Sequence, residues 1–574
     1  MLAVIFIWLY MAVTVFLLGY GILTGLSTVG SYRVKKWDSH VMCGLAGAAV
    51  YAQFFSIFGP VGFAANLLLI AICLLIAFLC RKRLREDWKQ LGFCRKWAEA
   101  DGTFRKKILV KVFFLFVLLL LYAYGASRGI LHYDTALYHA QSIRWIEEYG
   151  IVKGLGNLHC RLAYNSASFA LSALYSMAFL GGQSYHCAAG FLAFVVALIC
   201  TELGKAIGRK KMCPSDFARV ACVYYLLMIY DEMISPASDY FMVLTAFYLV
   251  IRWMDLMEEK EKAVFPYAML CVLGIFLMTV KLSAALIILL ACGPAAMLLR
   301  EKRWKETGVY IGLGILAAAP YLIRNVLLSG WLVYPFTGLD LFKVDWKIPK
   351  GIAAYDAKEI QVWGRGYSDV TKFDMSIREW MPAWFRGLGG MDKLFVLAAI
   401  LSVIVFVIRF GLWLVQRKKG RAGKLLLEGV VSLSFLFWLF SSPLIRYGCV
   451  YVYLTTAVVW GDVCTEFFEN DRLSGRKAGQ YAEKACMLSI GLFLVYKAAA
   501  FGKEVCASYV NDYWLYQKDY DNYEVKGYEI DGVVFYCPVE GDRVGYDSFP
   551  SSPAEAQIRL RGDGIGDGFR YAEQ

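Results

Sequence analysis

Charged residues are few in this chain. Asp, Glu, Lys and Arg make up 19% of its 574 residues, and 59% are hydrophobic. A soluble globular chain is about a quarter charged and about half apolar, so a wholly soluble fold is excluded. A mean hydropathy of +0.51 agrees. Other absences narrow the chemistry. The sixteen cysteines are scattered with no Cys-x-x-Cys pair, which removes structural zinc and thioredoxin-like redox chemistry. There are only five histidines, and none is four residues from another, so a helical two-histidine metal motif is missing. No internal repeat is visible, as a repeat-built transporter would show. The first apolar run, Met1 to Leu23, has no basic segment before it and no small-residue cleavage site after it, so it reads as a membrane helix and not as a cleavable signal.

What is present is a series of apolar runs of about 16–24 residues, each long enough to span a hydrocarbon core. They begin near Met1, Val41, Val61, Ile108, Tyr185, Phe217, Asp239, Val264, Leu282, Thr307, Lys393, Leu425, Cys449 and Ala485, and predict an all-α polytopic protein of about fourteen transmembrane helices. The net charge of +13 is concentrated in short loops: the RKRLREDWKQLGFCRKW stretch from Arg81, GRKK around Arg209, REKRWK from Arg300 and RKKGRAGK from Arg417. By the positive-inside rule these are cytoplasmic. No aromatic-interleaved basic face offers a platform for nucleic acid.

The alternate loops then face outward: His132 to Ser168, Ser235 to Ser238, Ser329 to Asp392, Ser441 to Gly448 and the tail after Gly502. The expected organisation is three N-terminal spans with a basic loop (1–107), seven helices with an outward loop at 128–169 (108–328), an outward cap (329–392), four further spans (393–501) and an outward tail (502–574). The protein is expected in the cell membrane with its N-terminus and tail extracytoplasmic. In the first outward loop, Asp134, Tyr138, Gln141 and Trp145 follow i, i+4, i+7, i+11 spacing, which predicts a short helix lying in the interface. KGLGNLHCR reads as a turn, and a second short helix is expected over Asn165 to Met177. In the tail, GVVFY from Gly532 reads as a strand, and SFPSSP and RGDGIGDGF as turns. The tail is therefore expected to be a small α/β or β-rich unit. Cys506 and Cys537 flank it and could pair.

The residues able to carry chemistry gather in the outward segments. Asp134 follows the fourth span, where a lipid head group would lie. It suits a general base on an acceptor hydroxyl or a ligand to a divalent cation such as Mg or Mn; the alternative is a helix N-cap. Asp239, in SPASDY, is a second acidic candidate and could share that cation, or it caps the next helix. His139, Tyr138 and Asn325 are candidate acceptor contacts. Lys281 interrupts the apolar FLMTVKLSAAL, and an intramembrane charge is a functional candidate, or else a snorkelling lysine. Arg324 and Arg446 stand at two outward helix ends against the positive-inside trend, and guanidinium groups suit phosphate contact as well as interfacial anchoring.

The order of these features resembles the C-type fold of polyprenyl-phosphate-dependent glycosyltransferases. Members of that fold carry an acidic residue in a first outward loop with interfacial helices. A second acidic position often lies in the next outward loop, and a large outward loop follows the seventh core helix. Here Asp134, Asp239 and Ser329 to Asp392 occupy those places, and the resemblance covers roughly Ile108 to Asp392. The first loop has a lone Asp where better-known relatives have an acidic pair. The strings YDTALYHAQSIRWIEEYGIVKGLGNLH, RLAYNS and LRGDGIGDGFR are also similar to a bacterial family of large membrane proteins with no assigned activity. The resemblance implies transfer of a sugar from a lipid-linked phosphate donor to an extracytoplasmic glycan, lipid or protein acceptor. Asp134 would be the base or metal ligand, with Lys281, Arg324 and Arg446 on the donor phosphate. Membrane lipids are the other expected partners. A surface polysaccharide polymerase or ligase, and a lipid-linked oligosaccharide transporter, are the competing expectations.

Overall fold

The computed structural model describes residues 1–91, 102–416, 420–469 and 476–572. The basic stretch from Arg81 is therefore described only as far as its first short helix, and Arg417 to Lys419 lie outside the described residues.

A helix forms at each of the fourteen expected starts. These are α1 (Leu2–Gly30), α2 (Trp37–Ser56), α3 (Phe63–Leu79), α4 (Arg105–Gly125), α5 (Ala188–Arg209), α6 (Pro214–Met228), α7 (Ser238–Glu258), α8 (Val264–Val280), α9 (Leu282–Arg300), α10 (Trp304–Ser329), α11 (Gly390–Gln416), α12 (Ala422–Ser441), α13 (Ile445–Glu469) and α14 (Lys477–Ala507). Among the described residues ten of them are long and apolar enough to cross a membrane, and eleven if α3 and the helix after it, bent by 70°, count as one span. The chain is thus a helical polytopic membrane protein. The expected count of about fourteen spans is not reached by this criterion because α2 carries Asp38 and His40 and because α6 and α8 are short, with 15 and 17 residues. At 1.5 Å per residue, helices of that size fall several ångströms short of a core about 30 Å thick.

α7 is the bundle's centre, 94% buried over its apolar window, whereas α14 is 0% buried and α11 17%. The outer helices leave their leucines and valines exposed because acyl chains solvate such groups as well as a protein interior does. Close backbone approach has to supply the packing instead. α1 and α2 meet at Gly19 and Gly44, where an added Cβ would come within 1.8 Å of the His40 carbonyl oxygen and 1.7 Å of that of Val15.

The two ends of the bundle differ. At one end, buried ion pairs bind helices together. Arg252 and Arg219 on α7 and α6 share Asp255 at 2.6 and 2.7 Å, Arg252 reaches Asp38 on α2 at 2.8 Å, and both reach Glu202 on α5 at 3.1 Å. Arg409 on α11 similarly joins Glu428 on α12 at 3.1 Å and Glu466 on α13 at 3.2 Å. The basic loops belong to this end. The opposite end carries the first long loop, the cap and the tail, which pack on one another.

That first loop begins with a π-helical turn, Thr135–His139, and continues as the helix Ala140–Glu148. The π turn breaks the expected common face. Asp134 turns to Arg446, Tyr138 packs on Tyr164 and Phe169, and Gln141 and Trp145 face the tail. The helix does not lie bare in the interface, because the tail covers it. Gln141 Nε2 donates to the carbonyls of Gly545 and Ser548 at 3.0 and 2.8 Å, and Trp145 packs at an angle on Phe549 and edge-to-face on Phe569. The expected KGLGNLHCR turn contains two short helical turns, and the second helix spans Ala167–Leu174.

The cap is helical, with Lys350–Gly364 and Ile377–Gly387. It meets the first loop through Asp356, a buried carboxylate that accepts from Tyr164 at 2.7 Å and Tyr334 at 2.8 Å. The tail is β-structured: β1 (Val525–Ile530) pairs antiparallel with β2 (Val533–Pro538), and β3 (Ile558–Leu560) with β4 (Phe569–Tyr571). Cys506 and Cys537 are both free, one exposed and one buried. With the loop end outside, as the charge alternation predicts, an impermeant thiol reagent in intact cells is expected to label Glu540→Cys on the tail and to spare Lys302→Cys at the basic end. The reverse pattern would invert the topology.

Candidate functional site

At the loop end, four separated chain segments bring charged groups together. Lys281 is the single extended residue between α8 and the 3₁₀ turns that open α9. This break in an otherwise apolar run turns its ammonium to Asp239, in the first turn of α7. Arg446 opens α13. Gly448 lets that turn close on Trp438, since a Cβ there would lie 2.2 Å from the indole Cδ1. Arg446 Nη2 donates to Asp134 Oδ2 at 2.9 Å, and its Nε lies 3.8 Å from Asp239 Oδ2. Its Nη1 rests 2.8 Å from His132 Nδ1. The Tyr447 ring underlies both cations, 4.3 Å from Lys281 Nζ and 5.2 Å from the Arg446 guanidinium carbon.

The result is two carboxylates and two cations in one chain of contacts, with no net charge. The Asp134 and Asp239 side chains are 15% and 6% exposed, those of Lys281 and Arg446 22% and 23%. The cations are therefore the more accessible half of the cluster. Burial pushes the Asp134 carboxyl up, but Arg446, His139 and His132 together outweigh this and hold the group below the usual carboxylate range. Asp134 is ionised at neutral pH. His132 is the reverse: burial and then Arg446 lower it, so it stays a neutral acceptor for the Asp134 main-chain N–H at 3.0 Å.

These contacts bear on the alternatives left by the sequence. Asp134 stands at the cap position of its π turn, yet its carboxylate makes no capping hydrogen bond. Asp239 likewise caps nothing, and Lys281 reaches a carboxylate and not the open interface. Other candidates are elsewhere. His139 is buried against Phe169 and bonded to Thr135, its ring 6.4 Å from that of His132 at the edge of the cluster. Tyr138 borders the cluster through its ring contact with His139 at 4.4 Å. Asn325 and Arg324 are tied to Asn165 in a separate buried group and make no hydrogen bond or salt bridge to the cluster. Tyr447 was not singled out by the sequence as a cluster member; its only signal is its place beside Arg446.

A divalent cation held by protein carboxylates and substrate phosphate usually needs one or two free carboxylates. Here both are engaged by Lys281 and Arg446, and among the described residues no three His, Cys, Asp or Glu side chains converge. In this arrangement a metal at Asp134 would have to displace the Arg446 guanidinium.

A family model described as Domain of unknown function (DUF8201) matches residues 1–453. The chain belongs to this family. No curated protein and no solved structure matches it. The DUF8201 region takes in Asp134, Asp239, Lys281 and Arg446, and ends before the tail that covers the first loop.

The loop end also holds histidines that resist protonation. His186 is buried, its Nδ1 2.7 Å from the Ile234 carbonyl oxygen, its ring against Tyr520 of the tail, and its Nε2 without a partner among the described residues. Burial lowers it to about 4, and lowers His139 to about 3. A group whose folded pKa lies below its unfolded value near 6.5 favours folding above that value, and the benefit is lost as pH falls, because the unfolded chain takes a proton that the folded one refuses. The thermal midpoint of the purified protein is therefore expected to fall between pH 6.5 and about 4. His186→Gln should make that slope shallower, by up to ~1.4 kcal/mol per pH unit. An unchanged slope would contradict the assignment.

Proposed function

We propose that this protein is a membrane glycosyltransferase that moves a sugar from a polyprenyl-phosphate or diphosphate donor to an acceptor hydroxyl outside the cytoplasm. The observation that carries the reading is the neutral cluster of Asp134, Asp239, Lys281 and Arg446 at the loop end. All fourteen helices cross the bilayer in this reading, residues 108–392 form a C-type-like core, and the cap and tail roof the site.

The donor suits the place. Nucleotide sugars are made in the cytoplasm, so a transferase working outside needs its sugar carried across on a lipid. Such a donor brings phosphate to the membrane edge, where Lys281 and Arg446 are the accessible cations. A phosphate competes with the two carboxylates for them. As Arg446 turns toward the phosphate, Asp134 loses the partner that depresses its pKa and becomes the stronger base. Asp134 then accepts the acceptor's hydroxyl proton while that oxygen bonds to the anomeric carbon. The bond from that carbon to the phosphate oxygen breaks, the oxygen keeps the electron pair, and Lys281 and Arg446 stabilise the charge that develops. Donor contact is assigned to these two and not to Arg324, which lies apart.

One observation favours the transporter reading instead. A cavity of about 870 Å³ lies among α1, α2, α7, α8 and α10, with mostly apolar walls and with Arg33, Lys36, Arg252, Glu259 and Glu261 also in its lining. The two readings separate on one residue. Asp134→Asn keeps size and cannot take a proton, so transfer is expected to fall by about 10²–10⁴-fold at matched thermal stability. Lys281→Ala should instead raise the donor KM by about tenfold or more. Full transfer by the Asp134→Asn protein would remove the catalytic assignment.

A further inference from the structure

Arg324 is 3% exposed near the end of α10. A guanidinium stays charged in any protein environment, and an uncompensated buried charge costs several kcal/mol. Yet Arg324 forms no salt bridge among the described residues. Its Nε donates to Asn165 Oδ1 at 3.0 Å and its Nη1 to Ser56 Oγ, both neutral acceptors. It lines a void of about 10 Å³ together with Ser142 and Trp145 of the first loop. Ser142 Oγ and Trp145 Nε1 are themselves buried and have no hydrogen-bond partner among the described residues.

Three groups able to donate thus border one small void, with the only formal charge positive. The void has room for about one water-sized body. A water could find an acceptor there, since the Ser142 hydroxyl accepts as well as donates, but it would leave the Arg324 charge uncompensated. An anion needs only donors. Chloride is somewhat larger than water, and the flexible side chains of Leu155, Leu162 and Leu328 form part of the wall. A diphosphate is far too large.

We propose that this void is a binding site for a small monovalent anion of the halide class, chloride being the occupant. The anion neutralises Arg324 and ties α10 to the first outward loop. The site does not depend on the transferase reading.

The test uses the full-length protein in lipid nanodiscs, with its thermal midpoint measured as sodium chloride replaces sodium gluconate at constant ionic strength. The expected result is a saturable rise with chloride, as for any ligand that binds only the folded state. Trp145→Phe should raise the half-saturating chloride concentration by about tenfold, one charged hydrogen bond being lost. Arg324→Met should abolish the response and, in gluconate, match or exceed the wild-type midpoint. A wild-type midpoint insensitive to chloride, or one whose chloride response is unchanged by Trp145→Phe, overturns the proposal. The Trp145→Phe comparison decides the matter should Arg324→Met fail to fold.

Discussion

A charge placed near the lipid must find a counter-charge, and Arg446 is where this constraint acts most strongly at the loop end. Its guanidinium bonds Asp134 and lies between that group and Asp239, whose other oxygen is held by Lys281. Each member makes another tolerable. Breaking a buried pair by removing one partner costs about 3–5 kcal/mol, because the remaining charge is stranded. Four segments far apart in sequence are thereby fixed relative to one another: the start of the first loop, the start of α7, the break between α8 and α9, and the start of α13.

Such a cluster is stable and also poised. Its cations are more accessible than its carboxylates, so an incoming anion meets Lys281 and Arg446 first. The same pairing that stabilises the resting protein occupies the groups that a phosphate would use. In the proposed reading the phosphate itself meets the cost of opening it, as a stronger partner for both cations. The bundle's other end uses ion pairs differently. Arg219, Arg252, Asp38 and Asp255 are nearly all buried and bridge helices with no accessible cation, which suits a fastening and not a site.

Much of this was legible in the sequence where one strong force dominates. Apolar runs of span length mark fourteen helices because the bilayer admits little else. Asp134, Asp239, Lys281 and Arg446 stand out because a charge beside apolar runs is costly unless it has a task or a partner. What the sequence could not show is pairing. Nothing in the spacing of Lys281 and Asp239 says that a break after α8 aims one at the other. Arg324 and Arg446 look alike as outward arginines, yet one faces carboxylates and the other a void lined by Trp145 and Ser142. The π turn at Thr135–His139 is likewise invisible to a periodicity that assumes a regular helix, and it sends Asp134 and Gln141 to different partners. The helices α6 and α8 read as spans by apolarity, while their lengths depend on where Pro214 and Lys281 stop the regular hydrogen bonding.

The central claim is that Asp134 and a lipid-linked phosphate compete for Arg446. The most direct measurement is the affinity of a short-chain polyprenyl phosphate for the purified protein in nanodiscs, compared with that of the Asp134→Asn variant, by titration calorimetry. Removing the internal competitor frees Arg446, so the variant should bind the phosphate more tightly, by about tenfold for the loss of one charge-assisted bond. Equal or weaker binding by the variant, or no binding by either protein, would contradict the account.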